Sequence, residues 1–319
     1  MSRPFYSVIL PAYNEGAQIG PCLKAILANV SDLAALEILV VDNGSSDDTV
    51  SVARAHGVRV MENTTGKRVN ISSLRNLGAH EATGDILVFL DADMLVPSDW
   101  LEQASRYFRA GFQGALGFIA KVPDTAGWVG RIWGQRLCRK RSRVMEVDFL
   151  PGRNIFVNRA VFEAAGGFDP AFLTGEDKDF TFRVRKAGYR VVSAPDVCLI
   201  HLGYEKSLAE LWRKEFWRQS CTLQFARKHG LSFRTLRHPA LSAWHVACPV
   251  AAVVLALGWP FSPAWLAALL LWPLPAVVIG GAEARRGRIV DALPLIVLTW
   301  LRWTAAGVAL VSQILRRIF

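Results

Sequence analysis

Cysteine is scarce and unpatterned in this chain. The five residues, Cys22, Cys138, Cys198, Cys221 and Cys248, are odd in number and form no C-x-x-C pair. That excludes a disulfide framework and the usual zinc or dithiol motifs, and points to a reduced, cytosolic setting. No long apolar run precedes Pro11 and Glu15, so no secretory signal peptide is expected and the amino-terminal part should stay on the cytosolic side. Internal repeats and low-complexity tracts are missing as well. The formal net charge is +10, yet no DNA- or RNA-reading signature accompanies it. Lys and Arg gather instead at residues 131–143 and 213–237, beside tryptophans and an apolar tail. Anionic membrane lipid, and no nucleic acid, is therefore the expected partner of that charge.

What the 319 residues do contain is a sharp division. Charged residues concentrate before His238 and apolar runs dominate after it, within an overall hydrophobic fraction of 52%. The expected organisation is a soluble head over residues 1–205, a basic amphipathic linker over 206–238 and a membrane domain over 239–319. Short β-branched runs at 7–10, 38–41, 58–61 and 86–90 read as buried strands. Between them Ile19, Leu23, Ile26 and Leu27 recur at helical spacing, and Asp47 or Asp48 can cap a helix that stops at Gly57. This β-α-β-α-β-α-β order predicts an α/β fold with a mostly parallel sheet covered on both faces and ligands at the carboxyl ends of its strands.

Further along, residues 97–109 read as a helix, 114–120 as a strand and 127–134 as an irregular segment. Residues 154–158 read as a strand, 159–165 as a helix ended by Gly166 and Gly167, and 176–187 as a helix ended by Gly188. Leu208, Leu211, Trp212, Phe216 and Leu223 line one face of a single expected interfacial helix, opposite Arg213, Lys214 and Arg218. Three apolar segments follow, 241–259, 264–281 and 293–315, each near the roughly twenty residues that span a bilayer. In the third, Arg302 costs about 3 kcal/mol against a gain of about 3–7 kcal/mol from the eleven Leu, Ile and Val side chains. Arg285, Arg286 and Arg288 place the flanks of the first two segments on one side as a hairpin. A third crossing would put Arg316 and Arg317 outside, so a tilted or re-entrant segment stays open.

Four acid-bearing segments sit where strands or helices end. The first strand leads into Pro11-Ala12-Tyr13-Asn14-Glu15 and the second into Asp42-Asn43-Gly44-Ser45-Ser46-Asp47. A carboxylate there can accept hydrogen bonds from a base or ribose, while Gly44 and Ser45 allow close approach; equally, Asp42 and Ser45 can serve only as turn caps. The fourth strand ends in Asp91-Ala92-Asp93, two acids that suit Mg²⁺ or Mn²⁺ bridging phosphate oxygens. A lone D-x-D is also a common surface pattern. Glu176-Asp177-Lys178-Asp179 opens a helix, where an ionised acid can act as a general base or simply complement the helix dipole. His201 follows an apolar run and is either a core histidine or a metal ligand. Arg75 can present a cation to the donor or a plain helix surface, and Asn154 can bond a sugar or end its strand.

In this order the motifs resemble the inverting glycosyltransferases of family two, whose catalytic domain has the GT-A, Rossmann-like fold. The resemblance covers residues 6–204. Its markers are Pro11 to Glu15, residues 41–47, Arg75-Asn76-Leu77-Gly78, Asp91-Ala92-Asp93, Gly166-Gly167-Phe168-Asp169 and Glu176 to Asp179. It implies that Asp42 holds the nucleoside, Asp91 approaches ribose and metal, Asp93 binds metal and Asp177 is the catalytic base. His201 matches a metal histidine in part of the family. Asn43 departs from a frequent second aspartate, and Leu74 stands where a small residue is usual. The expected nucleotide-sugar pocket is thus Pro11, Ala12, Tyr13, Glu15, Asp42, Gly44, Ser45, Arg75, Asp91, Ala92, Asn154 and Glu176, with metal on Asp93, Asp91 and His201.

The expected activity is inverting transfer of a single sugar from a UDP- or GDP-linked donor to a lipid-linked or glycan acceptor at the cytosolic face of the inner membrane. Processive synthases of the family carry Gln-x-x-Arg-Trp, where this chain has only Phe216-Trp217-Arg218-Gln219. A polymer-making synthase and a catalytically idle nucleotide-sugar-binding membrane protein are the alternatives.

Overall fold

The computed structural model describes residues 5–29, 36–64, 66–135, 143–259, 261–285 and 289–315. Cys138, the basic positions within 136–142, and Arg286, Arg288, Arg316 and Arg317 lie outside the described residues. The chain divides into two compact units. The first comprises Met1–Pro123 and Lys140–Gly203, the second Asp124–Arg139 and Tyr204–Phe319.

The first unit is built on one sheet. Its elements run β1 (Tyr6–Ala12), α1 (Gly16–Leu27), β2 (Leu36–Asp42), α2 (Thr49–Ala55), β3 (Arg59–Glu62), α3 (Ile71–Glu81), β4 (Ile86–Leu90), β5 (Met94–Leu95), α4 (Trp100–Arg109) and β6 (Gly114–Lys121). After the segment assigned to the second unit come β7 (Met145–Glu146), β8 (Asn154–Asn158), α6 (Arg159–Ala164), α7 (Glu176–Lys186) and β9 (Arg190–His201). The spatial order is β3-β2-β1-β4-β8-β6-β9-β5, with β7 on β9. The strands β3, β2, β1 and β4 are mutually parallel, β8 runs antiparallel to β4 and β6, and β6 and β9 are again parallel.

Strand alternation divides the core into two layers. Val8, Leu10, Val88 and Leu90 point to one face, against Ile19, Leu23 and Ile26 of α1 and Trp100 of α4. Ile9, Leu87 and Phe89 point to the other, against Leu74 of α3, Val161 and Phe162 of α6, and Phe180 and Val184 of α7. Each fully buried side chain of this size stabilises by about 1.5–3 kcal/mol. The second layer ends in an aromatic cluster beneath the sheet's upper edge: Phe168 packs 4.9 Å from Phe89 and 4.6 Å from Phe180 between ring centroids. That cluster anchors the loop leading into α7.

The second unit is helical: α5 (Trp128–Gln135), α8 (Leu208–Arg218), α9 (Thr222–His229), α10 (Phe233–Gly258), α11 (Ala264–Leu271), α12 (Leu274–Arg285) and α13 (Ala292–Leu315). Most of residues 127–134, expected to be irregular, falls in α5. Val129, Ile132 and Trp133 are buried with Leu211 of α8 and Leu295 and Leu298 of α13; tertiary packing overrides the two glycines of the helix, Gly130 and Gly134. The expected single interfacial helix is two, because the chain turns at residues 219–221. Ser207 caps α8 by accepting from the Glu210 N–H at 3.2 Å. A capping box between Ser232 and Thr235 starts α10 at Phe233, upstream of the apolar run that marked it in sequence.

Three helical segments, Phe233–Gly258, Ala264–Arg285 and Ala292–Leu315, are long and apolar enough to cross a membrane. The second is interrupted at Trp272 and Pro273, where proline supplies no N–H. Of the most apolar stretch in α13, 50% is buried by protein, against 22% in α10 and 11% in the second segment. Arg302 on α13 lies against this packed side. Its Nε is 3.3 Å from Glu215 Oε2 of α8, so the charge that made the third segment costly in sequence meets a counter-charge.

Candidate active site

The upper edge of the first unit's sheet gathers the motif residues. Ala12 and Asp42 are register partners at the ends of β1 and β2, and the loops after them are laced together. Asn14 adopts a left-handed backbone, φ 53°, which asparagine tolerates better than most residues. Its N–H donates to Ser45 Oγ at 2.9 Å, and its side-chain oxygen accepts from the Ser46 N–H at 2.9 Å. The Glu15 N–H donates to Thr49 Oγ1 and the Gly16 N–H to Asp47 Oδ2. The loop that follows Pro11, Ala12 and Tyr13 is therefore pinned to the turn after β2.

Asp42 is buried and its carboxylate accepts from the Gly44 N–H, the Ser45 N–H and the Ser45 hydroxyl. Gly44 carries φ 76°, a conformation that favours glycine. The turn-capping interpretation of Asp42 and Ser45 is thus what these bonds describe, with the Asp42 carboxylate held in place by three donors of the following turn. Asn43 ties the loop at residues 63–69 in place: its amide donates to Val69 O at 2.8 Å and accepts from Val69 N–H and Asn63 Nδ2, each at 3.1 Å. On that loop Arg68 stacks its guanidinium 3.6 Å over the Tyr13 ring. Neither Arg68 nor the tie made by Asn43 stands out in the sequence. An amide where an acid is frequent was the available signal.

At the end of β4, Asp91 is about one-third exposed and one of its oxygens accepts from Arg75 Nη2 at 2.9 Å. Burial pushes Asp91 above the usual carboxylate range against the opposing Arg75 charge, with Asp93 adding to the rise. Ala92 is buried between the two acids in sequence. Pairing of β5 with the end of β9 sets Met94 opposite His201. Asp93 Oδ2 thereby comes 3.3 Å from His201 Nε2. Burial opposes the charge of Asp93, but His201 outweighs it and holds the carboxyl below its ordinary range.

Asp177 lies in the first turn of α7. Its Oδ2 accepts from the Gly152 N–H at 2.9 Å and its Oδ1 from the Lys178 N–H at 2.7 Å. Burial and the adjacent Glu176 push its pKa up to about 7, against the two N–H groups and Arg75. Glu176 is buried and accepts from Arg75 Nη1 at 2.6 Å. Arg75, a candidate donor contact in sequence, is thus engaged by Asp91 and Glu176. Asn154, register partner of Leu90, donates to Phe118 O at 3.3 Å, and its buried Oδ1 has no hydrogen bond among the described residues.

The residues at the D-x-D fit a hard divalent cation in one respect. Asp93 Oδ1 is buried and without a hydrogen bond among the described residues, beside the neutral-capable His201 ring. No group of three or more His, Cys, Asp or Glu side chains that could hold an ion occurs among the described residues. The protein supplies a sparse ligand set, as suits Mg²⁺ or Mn²⁺, which keep waters and take up substrate phosphates.

The site thus combines a partly parallel sheet with acids after its strands and a helix that opens on paired acids. Comparison with known proteins gives its family. The family described as "Glycosyl transferase family 2" matches residues 7–165, and the chain belongs to it. Glycosyltransferase AglE of Haloferax volcanii is 29% identical over 250 residues, 76% of this chain and 80% of its own length. Succinoglycan biosynthesis protein ExoA of Rhizobium meliloti is 22% identical over 262 residues, 79% and 76% of the two chains. The solved mannosyltransferase PcManGT from Pyrobaculum calidifontis, in complex with GDP-Man and Mn²⁺, superposes with a TM-score of 0.63 at 24% identity, covering 100% of this chain and 88% of its own. That likeness establishes the shared GT-A fold. The chain is a glycosyltransferase that binds a nucleotide sugar and carries three helical segments long and apolar enough to cross a membrane.

Proposed function

We propose that the protein transfers a single sugar, with inversion, from a UDP- or GDP-linked donor to a hydroxyl of a lipid-linked acceptor at the cytosolic face of the membrane. The observation that carries this is the state of Asp177, a carboxylate held by two backbone N–H groups, poised near neutrality and influenced by Arg75, which also pairs with Asp91 of the D-x-D. A base of that strength matches general-base work at physiological pH. Asp177 accepts the proton of the acceptor hydroxyl as its oxygen bonds to the anomeric carbon. The bond from that carbon to the diphosphate oxygen breaks, and the electron pair leaves with the nucleoside diphosphate.

Asp42, with Pro11, Ala12 and Tyr13 and the turn at Gly44 and Ser45, orients the nucleoside. Glu15 and Ala92 shape the pocket beside it, while Asp91 faces the ribose. Asp93, His201 and Asp91 would hold the Mg²⁺ or Mn²⁺, which when bound neutralises the departing diphosphate. PcManGT, crystallised with GDP-Man and Mn²⁺, supports this donor and metal chemistry. Asn154, with an unsatisfied acceptor at the lip, orients a sugar hydroxyl. The apolar helices and basic flanks of the second unit support a lipid-linked acceptor and a membrane-lipid contact. Purified Asp177→Asn should bind donor and lose turnover, and retained turnover would remove Asp177 as the base.

A further inference from the structure

Arg75 stands on the second turn of α3 and is 2% exposed. Its two terminal nitrogens serve two different motifs. Nη2 donates to Asp91 at 2.9 Å and Nη1 to Glu176 at 2.6 Å. The Phe168 ring bounds the guanidinium, with Cζ 5.3 Å from its centroid. Gly152 bounds it as well, so closely that a Cβ there would lie 2.7 Å from both terminal nitrogens. The N–H of Gly152 is the group that donates to Asp177 Oδ2. Arg75 Nε is buried with no hydrogen-bond partner among the described residues.

We propose that Arg75 is a positioning residue for sugar transfer, one that locks Asp91, Glu176 and the Gly152 N–H into a single register so that donor site and base are aligned, without touching the donor. This rests on the assignment of Asp177 as base. A planar guanidinium fixes two carboxylates at once in a fork that a lysine ammonium cannot reproduce. Only glycine at position 152 lets the backbone approach the guanidinium and still reach Asp177. The guanidinium is nearly inaccessible, and its two terminal nitrogens already serve Glu176 and Asp91, so drawing it onto a donor phosphate would loosen these ion pairs. Misplacement of reacting groups by about 1 Å can cost about 100-fold in rate, so loosening this register should act on turnover.

The charged groups that face Asp177 are Glu176 on its own helix and Arg75 on α3, acting in opposite senses. The test uses the full chain in detergent, with Arg75→Lys and Arg75→Gln, a nucleotide-sugar donor turned over by the wild type, donor affinity by calorimetry, and kcat against pH. Arg75→Lys should keep donor affinity within about 3-fold and lose about 10–100-fold in kcat. Arg75→Gln should also move the acid limb of the kcat profile to higher pH, and Glu176→Gln added to it should move the limb back. If Arg75→Gln does not fold, Arg75→Lys alone decides through the split between affinity and kcat. Loss of donor affinity at unchanged kcat would make Arg75 a donor contact and overturn the proposal. Reduced thermal stability with wild-type kcat and an unmoved limb would leave only a structural role and overturn it too. Asp177→Asn, assayed beside them, separates failure of the base assignment, which shows as retained turnover in that variant alone.

Discussion

Glu215 of α8 and Arg302 of α13 face each other at 3.3 Å, with the Glu215 side chain 3% and the Arg302 side chain 18% exposed. Glu215 also accepts from Arg218 at 2.8 Å, and Arg218 in turn reaches Glu205 at 2.7 Å. One buried carboxylate therefore neutralises a cation that would otherwise sit bare on an apolar helix. Glu215→Ala should destabilise the protein by about 3 kcal/mol, the low end of the cost of orphaning a buried charge, since Arg218 is partly exposed and screened. Adding Arg302→Leu should recover much of that loss. Thermal unfolding in detergent of the two single variants and the double variant measures it.

Asn43 makes a second testable tie. Its amide both donates to and accepts from Val69, which a carboxylate cannot do. Asn43→Asp should set an oxygen against the Val69 carbonyl at a cost of about 1–3 kcal/mol. The loop at residues 63–69 should then exchange its amide hydrogens faster, and Arg68 should leave the Tyr13 ring. Faster exchange confined to that loop, together with altered donor affinity, is the expected result.

The parallel half of the sheet was legible because β1, β2 and β4 are buried on both faces and read as continuous apolar runs between turn signals. The acids were legible because they directly follow those runs. What escaped was pairing at long range. Nothing local brings residue 93 to residue 201, which the short β5 joins through β9, and nothing local turns Arg75 inward toward Glu176, 101 positions on. The helix α5 escapes notice in sequence because Gly130 and Gly134 lower its intrinsic propensity, while its buried face exists only once α8 and α13 are present. Arg302 is a similar case: in sequence its charge counts against the third segment, and its counter-charge, Glu215, lies 87 positions earlier in the chain.

Turnover should depend on pH through Asp177. Its pKa is raised to about 7, and a general base works ionised, so kcat should fall as pH drops through about 7 and level off above about 8. Glu176→Gln removes the like charge that helps raise Asp177, so the acid limb should shift to lower pH even if the maximum rate is reduced. A limb that stays in place in Glu176→Gln would show that Glu176 does not tune the base.

Asp93 and His201 lie 3.3 Å apart at the end of the D-x-D. Asp93 Oδ1 is buried without a hydrogen bond among the described residues, while Oδ2 faces the imidazole, so a cation bound there would draw on both side chains. His201→Ala should keep the fold, because the ring is a partly exposed side chain at a strand end, and should weaken Mn²⁺ binding by about 10–100-fold, the usual effect of losing one group that supports a metal. Asp93→Asn should weaken it further, since the carboxylate carries the charge. Electron paramagnetic resonance of added Mn²⁺, with the nucleoside diphosphate present, reads this without turnover. His201→Ala with wild-type Mn²⁺ affinity would make the histidine only an electrostatic partner that keeps Asp93 ionised.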